Sequence, residues 1–324
     1  MSSLYHPIHF GPVTAVGNVF LAPMAGYTDR VFRSICIEEG ADMTVTEMVS
    51  CEGVARDSRK TIDLMTRASN ESILNVQLFA PDAETARRSA PGVMKENPQI
   101  LDFNCGCPVP KVVKTGAGSA LLKNPTEIGK IVKALKEETG LPITVKIRTG
   151  WDKGSINYLE TASLAFENGA TALTMHARTK SQLYSPVADW STLKDLKAHF
   201  PEKIIMGSGD LFSAEDGVRM LQETGVDAIM YARGAIGNPF IFKQTKALLE
   251  GTTLPEITTE EKVEKIMYHL SGLTDMLGEA SACREMRKHV CAYLKGIKNS
   301  AKVRGQITSA LSIEDYKRAL EQLT

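Results

Sequence analysis

The run ITVKIR (Ile143–Arg148), the stretch NYLETASLAFENG (Asn157–Gly169) and the run ALTMH (Ala172–His176) decide the fold. Two short apolar, strand-sized segments flank an amphipathic segment that closes on a glycine, the pattern of parallel strands joined by a crossover helix. Working outward, the same alternation recurs. Strands are expected at Val19–Met24, Met43–Met48, Ile73–Phe79, Ile100–Asn104, Ile143–Arg148, Ala172–His176, Ile204–Gly207 and Ala228–Arg233. Between them lie helical stretches, several opening on a Thr, Asp or Ser cap and closing on Gly. The crossover over Glu52–Arg67 has the weakest helical pattern. Eight units in about 230 residues match an α/β (β/α)8 TIM barrel. After Gly251 and the joint TTLPEITTEEK the pattern is helical only, so residues 1–250 are read as a barrel domain and 251–324 as a smaller all-α domain.

Composition narrows the function. The chain has 324 residues, 43% hydrophobic and 23% charged, which excludes a disordered or fibrous protein. No apolar run approaches the roughly 18 residues needed to cross a bilayer, and the first residues lack the basic and apolar regions of a secretion signal. A cytoplasmic protein without membrane contact is expected, and six cysteines in such a chain are thiols rather than a disulfide framework. Lys and Arg number 38 and Asp and Glu 38, a net charge of zero.

In such barrels the chemistry gathers at the carboxyl ends of the strands. There stand Pro23, Met24 and Ala25, then Glu47, Gln77, Asn104 to Cys107, Lys146 with Arg148, His176 with Arg178, Ser208, Gly209 and Asp210, and Arg233 with Gly234. Glycine turns after strands seven and eight, GSGD (Gly207–Asp210) and ARGAIGNP (Ala232–Pro239), lie where barrels commonly hold a phosphate on backbone N–H groups, with Arg233 adding a charged fork. Either turn alone is equally well a tight loop that needs glycine for backbone freedom. GSGD is no dinucleotide fingerprint, because Phe212 stands where its third glycine belongs. In NCGCP (Asn104–Pro108) the Cys107 thiol is placed to donate a proton or act as nucleophile, with Lys111, Lys114 and Lys146 as nearby cations. One CxC without a second cluster is weak evidence for zinc, and no metal is expected.

Taken together these residues resemble the tRNA-dihydrouridine synthase family. The matching segments are LAPMAGYTDRVFR (Leu21–Arg33), VTEM (Val45–Met48), VQLFA (Val76–Ala80), NCGCPVPKVVKTGAGSALL (Asn104–Leu122), VKIRTGWD (Val145–Asp152), MHARTKSQ (Met175–Gln182), GSGD, YARGAIGNPFIF (Tyr231–Phe242) and CREMRKHVCAYLKG (Cys283–Gly296). The resemblance implies FMN at the barrel mouth. Pro23, Met24 and Ala25 would lie under the ring, Gln77, Lys146 and His176 against the ring and ribityl chain, and Ser208, Gly209, Asp210, Ala232 and Arg233 around the phosphate. It implies hydride transfer to uracil C6 of a tRNA uridine, Cys107 as the acid that protonates C5, and NADPH reloading the flavin from the same mouth. Two positions depart from the family's usual pattern: Cys105 adds a second thiol beside Cys107, and Ser208 stands where an Asn is common.

A tRNA substrate requires phosphate contacts. Between Ser281 and Arg304 seven basic residues face Glu285 alone, a net +6 balanced by −6 over the rest of the chain. At about 100° per residue, Arg284, Arg287, Lys288, Lys295 and Lys298 share one helix face, unless Gly296 ends the helix first. Such a stripe is usually just a solvated face, and the resemblance turns it into a tRNA grip. Asn104, Lys111 and Arg178 join it as substrate or tRNA contacts, and Arg56, Arg59, Lys60, Lys114 and Lys180 lie on loops of the same side. The alternatives are a barrel flavoprotein that reduces a free pyrimidine or other small molecule, and a tRNA-binding protein without catalysis.

Overall fold

The computed structural model describes residues 4–323. Eight parallel strands close into a ring: β1 (Val19–Leu21), β2 (Met43–Val45), β3 (Leu74–Phe79), β4 (Ile100–Asn104), β5 (Ile143–Arg148), β6 (Ala170–His176), β7 (Ile204–Ser208) and β8 (Ala228–Tyr231). The seam pairs Ile229 with Val19 and Tyr231 with Leu21. Strand residues alternate between two apolar layers. Phe20, Met43, Val45, Met206 and Met230 fill the barrel interior, while Val19, Leu21, Val76, Leu78 and Ile229 face the surrounding helices.

Among the described residues seven helices of nine or more residues pack around the ring: α1 (Arg30–Glu38), α2 (Ala83–Met94), α3 (Pro125–Thr139), α4 (Tyr158–Glu167), α5 (Ser191–His199), α6 (Ala214–Thr224) and α7 (Ile241–Glu250). The second crossover has no such helix. It is built from two short helical turns, Cys51–Ala55 and Arg59–Ile62, and the 3-10 turn Asp63–Met65.

Three strands end earlier than expected. The last ladder bond of β1 is Ala22 N–H to Tyr231 O at 2.8 Å, and Pro23 has no N–H with which to continue. β2 stops at Val45 because the Thr46 hydroxyl takes the Gln77 N–H at 3.0 Å, and the chain rejoins the sheet only at Val49–Ser50. β8 turns at Tyr231 into a 3-10 turn, Arg233–Ala235. A further element had no sequence expectation: an antiparallel hairpin, Ile8–Phe10 with Val13–Ala15, turning at Gly11 with φ of 62°. Its Ile8, Phe10 and Ala15 join the interior layer and shut the floor of the barrel.

After α7 come α8 (Thr259–Leu277), α9 (Glu279–Tyr293), α10 (Ser300–Ser309) and α11 (Ile313–Leu320). They share a core of their own around Leu270, Leu273, Met286, Val290, Ile307 and Tyr316. Capping boxes at Thr258/Glu261 and Ser312/Asp315 start α8 and α11. The bundle packs along α1 and against the loop after β8. Tyr268 donates to Glu38 at 2.7 Å, Lys265 pairs with Glu39 at 2.8 Å, and the loop after β8 lies against the backbone of α9 at Gly237. Among the described residues no helix is long and apolar enough to cross a membrane.

Candidate active site at the barrel mouth

A cavity of about 630 Å³ opens at the carboxyl ends of the strands, within the usual range for small-molecule sites. Pro23, Met24, Ala25, Gln77, Asn104, Cys107, Lys111, Lys146, His176, Ser208, Gly209, Asp210, Ala232 and Arg233 all line it.

One wall is a chain of oriented amides. The Asn104 Oδ1 accepts the N–H groups of Gly106 (3.2 Å) and Cys107 (2.9 Å), so its Nδ2 must be the donor to Gln77 Oε1 at 2.9 Å. Gln77 Nε2 in turn donates to Asp102 at 2.6 Å, and the other carboxylate oxygen takes the Thr144 hydroxyl at 2.5 Å. Asp102 is buried beneath the wall, and burial raises its pKa. Its negative charge is what fixes which way the Gln77 amide points. The second N–H of Gln77 is left for whatever fills the cavity.

Cys107 sits on the loop that follows β4. Its carbonyl accepts from Ser119 N–H at 3.1 Å, and a Cβ at Gly118 would stand 2.9 Å from that carbonyl oxygen. Burial pushes the Cys107 thiol above its ordinary pKa, with Arg148 and Lys146 pulling less strongly the other way, so at neutral pH it is a thiol. Cys105 is fully buried behind it and its pKa is pushed well up, also by burial.

The adjoining wall is cationic. Burial, helped by Arg148, lowers Lys146 to about 8, while Asp102 holds it up. His176 is driven well below its usual range by burial and then by Arg148, Lys146, Arg178 and Arg233, so it is neutral. Arg178 Nη1 lies 3.3 Å from His176 Nε2. A guanidinium only donates, so the imidazole proton resides on Nδ1. Arg148 donates to Gly106 O (2.9 Å), Thr179 O (2.8 Å) and Leu183 O (3.0 Å), tying the Cys107 loop to the loop after β6.

Beyond His176 the chain turns through Gly209 and Asp210 at positive φ, 124° and 55°. A Cβ at Gly209 would stand 2.9 Å from Ala188 Cβ and 3.1 Å from His176 Cδ2. The N–H groups of Gly209 and Asp210 donate to no other described residue, which leaves two adjacent donors in a concave turn. The Asp210 carboxylate is already occupied by Arg178 (2.6 Å), Ala188 N–H (2.8 Å) and Arg233 (3.3 Å).

The family model for dihydrouridine synthase (Dus) matches residues 20–324. The chain belongs to the dihydrouridine synthase family. That membership makes it a flavin-dependent oxidoreductase. It is 42% identical to the probable tRNA-dihydrouridine synthase of Treponema pallidum, over 97% of this chain and 95% of that protein. It is 37% identical to the tRNA-dihydrouridine synthase B of Vibrio cholerae, over 94% of each. Among solved structures, the histamine dehydrogenase of Rhizobium sp. 4-9 aligns with a TM-score of 0.57 at 16% identity, over 83% of this chain. The 6-hydroxypseudooxynicotine amine oxidase of Pseudomonas geniculata aligns with a TM-score of 0.59 at 13% identity, over 77%. This chain spans about half the length of those two structures, 51% and 50%, and they share its barrel fold.

In this member of the family, several residues expected to touch RNA are placed otherwise. Arg178 is 2% exposed, holding Asp210 and the Pro186 carbonyl, so it is an internal brace rather than a surface cation. The basic stripe is broken up. Arg287 is half-buried and donates to the Ala310 carbonyl at 3.1 Å, and Lys288 turns inward to Glu285 and the Gly26 carbonyl. The helix ends at Tyr293, and Gly296 at φ of 83° carries Lys295 and Lys298 out of its register. Arg284, Lys295, Lys298 and Lys111 remain exposed. The rim also holds large apolar groups that sequence reasoning missed: Tyr184, Phe212 and Val109, each about half exposed, with Arg233 stacked 4.3 Å from the Tyr184 ring. An aromatic in the polar loop after β6 was the available signal for Tyr184.

Proposed function

We propose that this protein is a tRNA-dihydrouridine synthase that binds FMN in the mouth cavity, takes its reducing equivalents from NADPH, and reduces the C5=C6 bond of uridines in tRNA. The observation that carries the reading is the Cys107 thiol beside Lys146 and Arg148 in one cavity that ends in two free backbone donors. The names of the relatives, matched over nearly their full lengths, agree with it.

The residues present fit FMN. The donor turn at Gly209–Asp210 suits a phosphate, the occupied Asp210 carboxylate offers it no bare negative charge, and the Gln77 and Lys146 donors suit the polar edge of a flavin ring. FMN, when bound, supplies the hydride. This chain's own groups do the rest. Pro23, Met24 and Ala25 give an apolar floor, and Lys146 with neutral His176 holds polar atoms of the cofactor. Asn104 and Lys111 flank the space left for the base. Cys107 gives the proton from Sγ to C5 of the uracil, and the thiolate that remains is stabilised by the charges of Lys146 and Arg148. A uridine reaches this depth only by leaving its stack, and exposed Arg284, Lys295 and Lys298 grip the phosphates around it.

The test is to incubate the purified protein with NADPH and tRNA from a strain lacking the gene, mapping dihydrouridine by position. Cys107→Ala should abolish turnover while bound flavin is unchanged. Full turnover by that variant would overturn the role of Cys107. A colourless protein that takes up no FMN would overturn the cofactor, and reduction of free uridine in preference to tRNA would return the small-molecule reading.

A further inference from the structure

Where the helical bundle meets α1, two histidines are buried with nothing to bond. His269 on α8 and His289 on α9 are each 0% exposed, their ring centroids 4.5 Å apart, and none of their four ring nitrogens has a hydrogen-bond partner among the described residues. Asp29, the cap of α1, faces them. Its Oδ1 takes the Val31 and Phe32 N–H groups at 2.8 and 3.0 Å, and Oδ2 accepts no hydrogen bond among the described residues. One ligand atom from each of the three lies within 4.8 Å of the others.

From this we propose that Asp29, His269 and His289 form a metal site for one divalent ion of the zinc class, closed by water, that clamps the helical bundle to the barrel. Two imidazoles and one carboxylate are a zinc ligand set, and tetrahedral bonds of about 2.0–2.1 Å place ligand atoms about 3.3 Å apart. Side-chain rotations that draw the ligand atoms together by up to about 1.5 Å suffice. The ion satisfies one nitrogen of each ring, where aromatic packing against Phe32 and Tyr27 satisfies none. Charge favours it as well. Around the site Asp29, Glu47 and Glu285 face one ammonium, Lys288, while Arg33 is already committed to Glu71. An ion of charge +2 cancels that excess. The CxC pair at Cys105 and Cys107, where sequence spacing directs the search, is a different place altogether. The inference stands apart from the proposed reaction.

The untagged full chain, stripped with a chelator and dialysed, is titrated with Zn(II) and with Co(II). One equivalent of each should bind, the cobalt form showing the visible d–d bands of a four-coordinate site, and zinc should raise the unfolding temperature. Asp29→Asn keeps the helix cap, since Asn caps as well as Asp, so it folds. It should weaken binding at least tenfold, and His289→Ala should abolish the cobalt bands while flavin content stays constant. Uptake below about a tenth of an equivalent by the wild-type chain would overturn the site. Binding by Asp29→Asn and His289→Ala as tight as by the wild-type chain would move the metal elsewhere and overturn it too.

Discussion

Gly237→Ala is the substitution that best separates the two parts of the molecule. Gly237 has φ of 67°, and a Cβ there would overlap the Tyr293 nitrogen and the Ala292 carbonyl carbon and stand 2.5 Å from Ala292 Cβ. Two costs add. A left-handed conformation costs a non-glycine residue about 1–2 kcal/mol. Forcing a methyl group into closed packing costs about 1–3 kcal/mol more. The expected loss is thus about 2–5 kcal/mol, and it falls on the contact between the β8 loop and α9. Gly251 is the control: its φ is 69° and nothing lies within 4 Å, so Gly251→Ala should cost only the first part, about 1–2 kcal/mol. Urea unfolding followed by circular dichroism measures both, and flavin content with tRNA affinity shows where the damage lies. Gly237→Ala should weaken tRNA binding while most flavin is retained, because backbone is pushed against backbone at the joint rather than in the cavity. Equal losses for the two variants would refute the claim that the helix backbone presses on this loop.

Lys146, lowered to about 8 by burial, should give flavin affinity an alkaline limb near that pH as its charge is lost. Asp102→Asn removes the carboxylate that opposes this, so the limb should move to lower pH, and an unmoved limb in fluorescence titrations would refute the coupling. The stability sign runs the other way: above about 8 the folded chain has shed a proton the unfolded chain keeps, so this group's penalty on folding shrinks as pH rises. Arg284→Glu with Lys295→Glu should weaken tRNA binding several-fold and flatten its salt dependence without changing flavin content, measured by filter binding at varied salt. Arg33→Met leaves Glu71 buried beside two fully enclosed partners and should cost about 3–5 kcal/mol in denaturant unfolding, an effect below about 1 kcal/mol contradicting the burial of the pair.

The barrel was legible because strand-sized apolar runs alternate with amphipathic segments; Val19, Phe20 and Leu21 are all apolar because both faces of the strand are covered, and only the structure sorts them into two layers. The mouth was legible because topology sends every strand's carboxyl end there, which is why Gln77, Lys146 and His176 meet although they are far apart in sequence. What sequence left open depends on long-range packing. Asp102 reads as one more strand residue until Gln77 and Thr144 are seen to close on it. The helical wheel put Arg287 and Lys288 on a solvated face, but the wheel does not contain Ala310 or Gly26, which draw them inward. The hairpin at Ile8–Ala15 was passed over because two three-residue strands around a glycine carry almost no periodicity.

That hairpin also sets an order of assembly. Its Ile8 and Phe10 share a core layer with Met206, Ala228 and Met230, and Asn18 reaches across the seam to the Asp227 carbonyl at 3.0 Å, 209 residues away. The hairpin can meet Phe20, Met43 and Val45 early, but its core is complete only when the last two strands have been made. Until β8 arrives, β1 is an open sheet edge with an apolar hairpin beside it, the kind of surface that seeks other chains. Cutting the chain at Gly17 would leave the mouth residues in place but remove the floor, so the yield of folded protein in the cell should suffer more than the flavin affinity of the molecules that do fold.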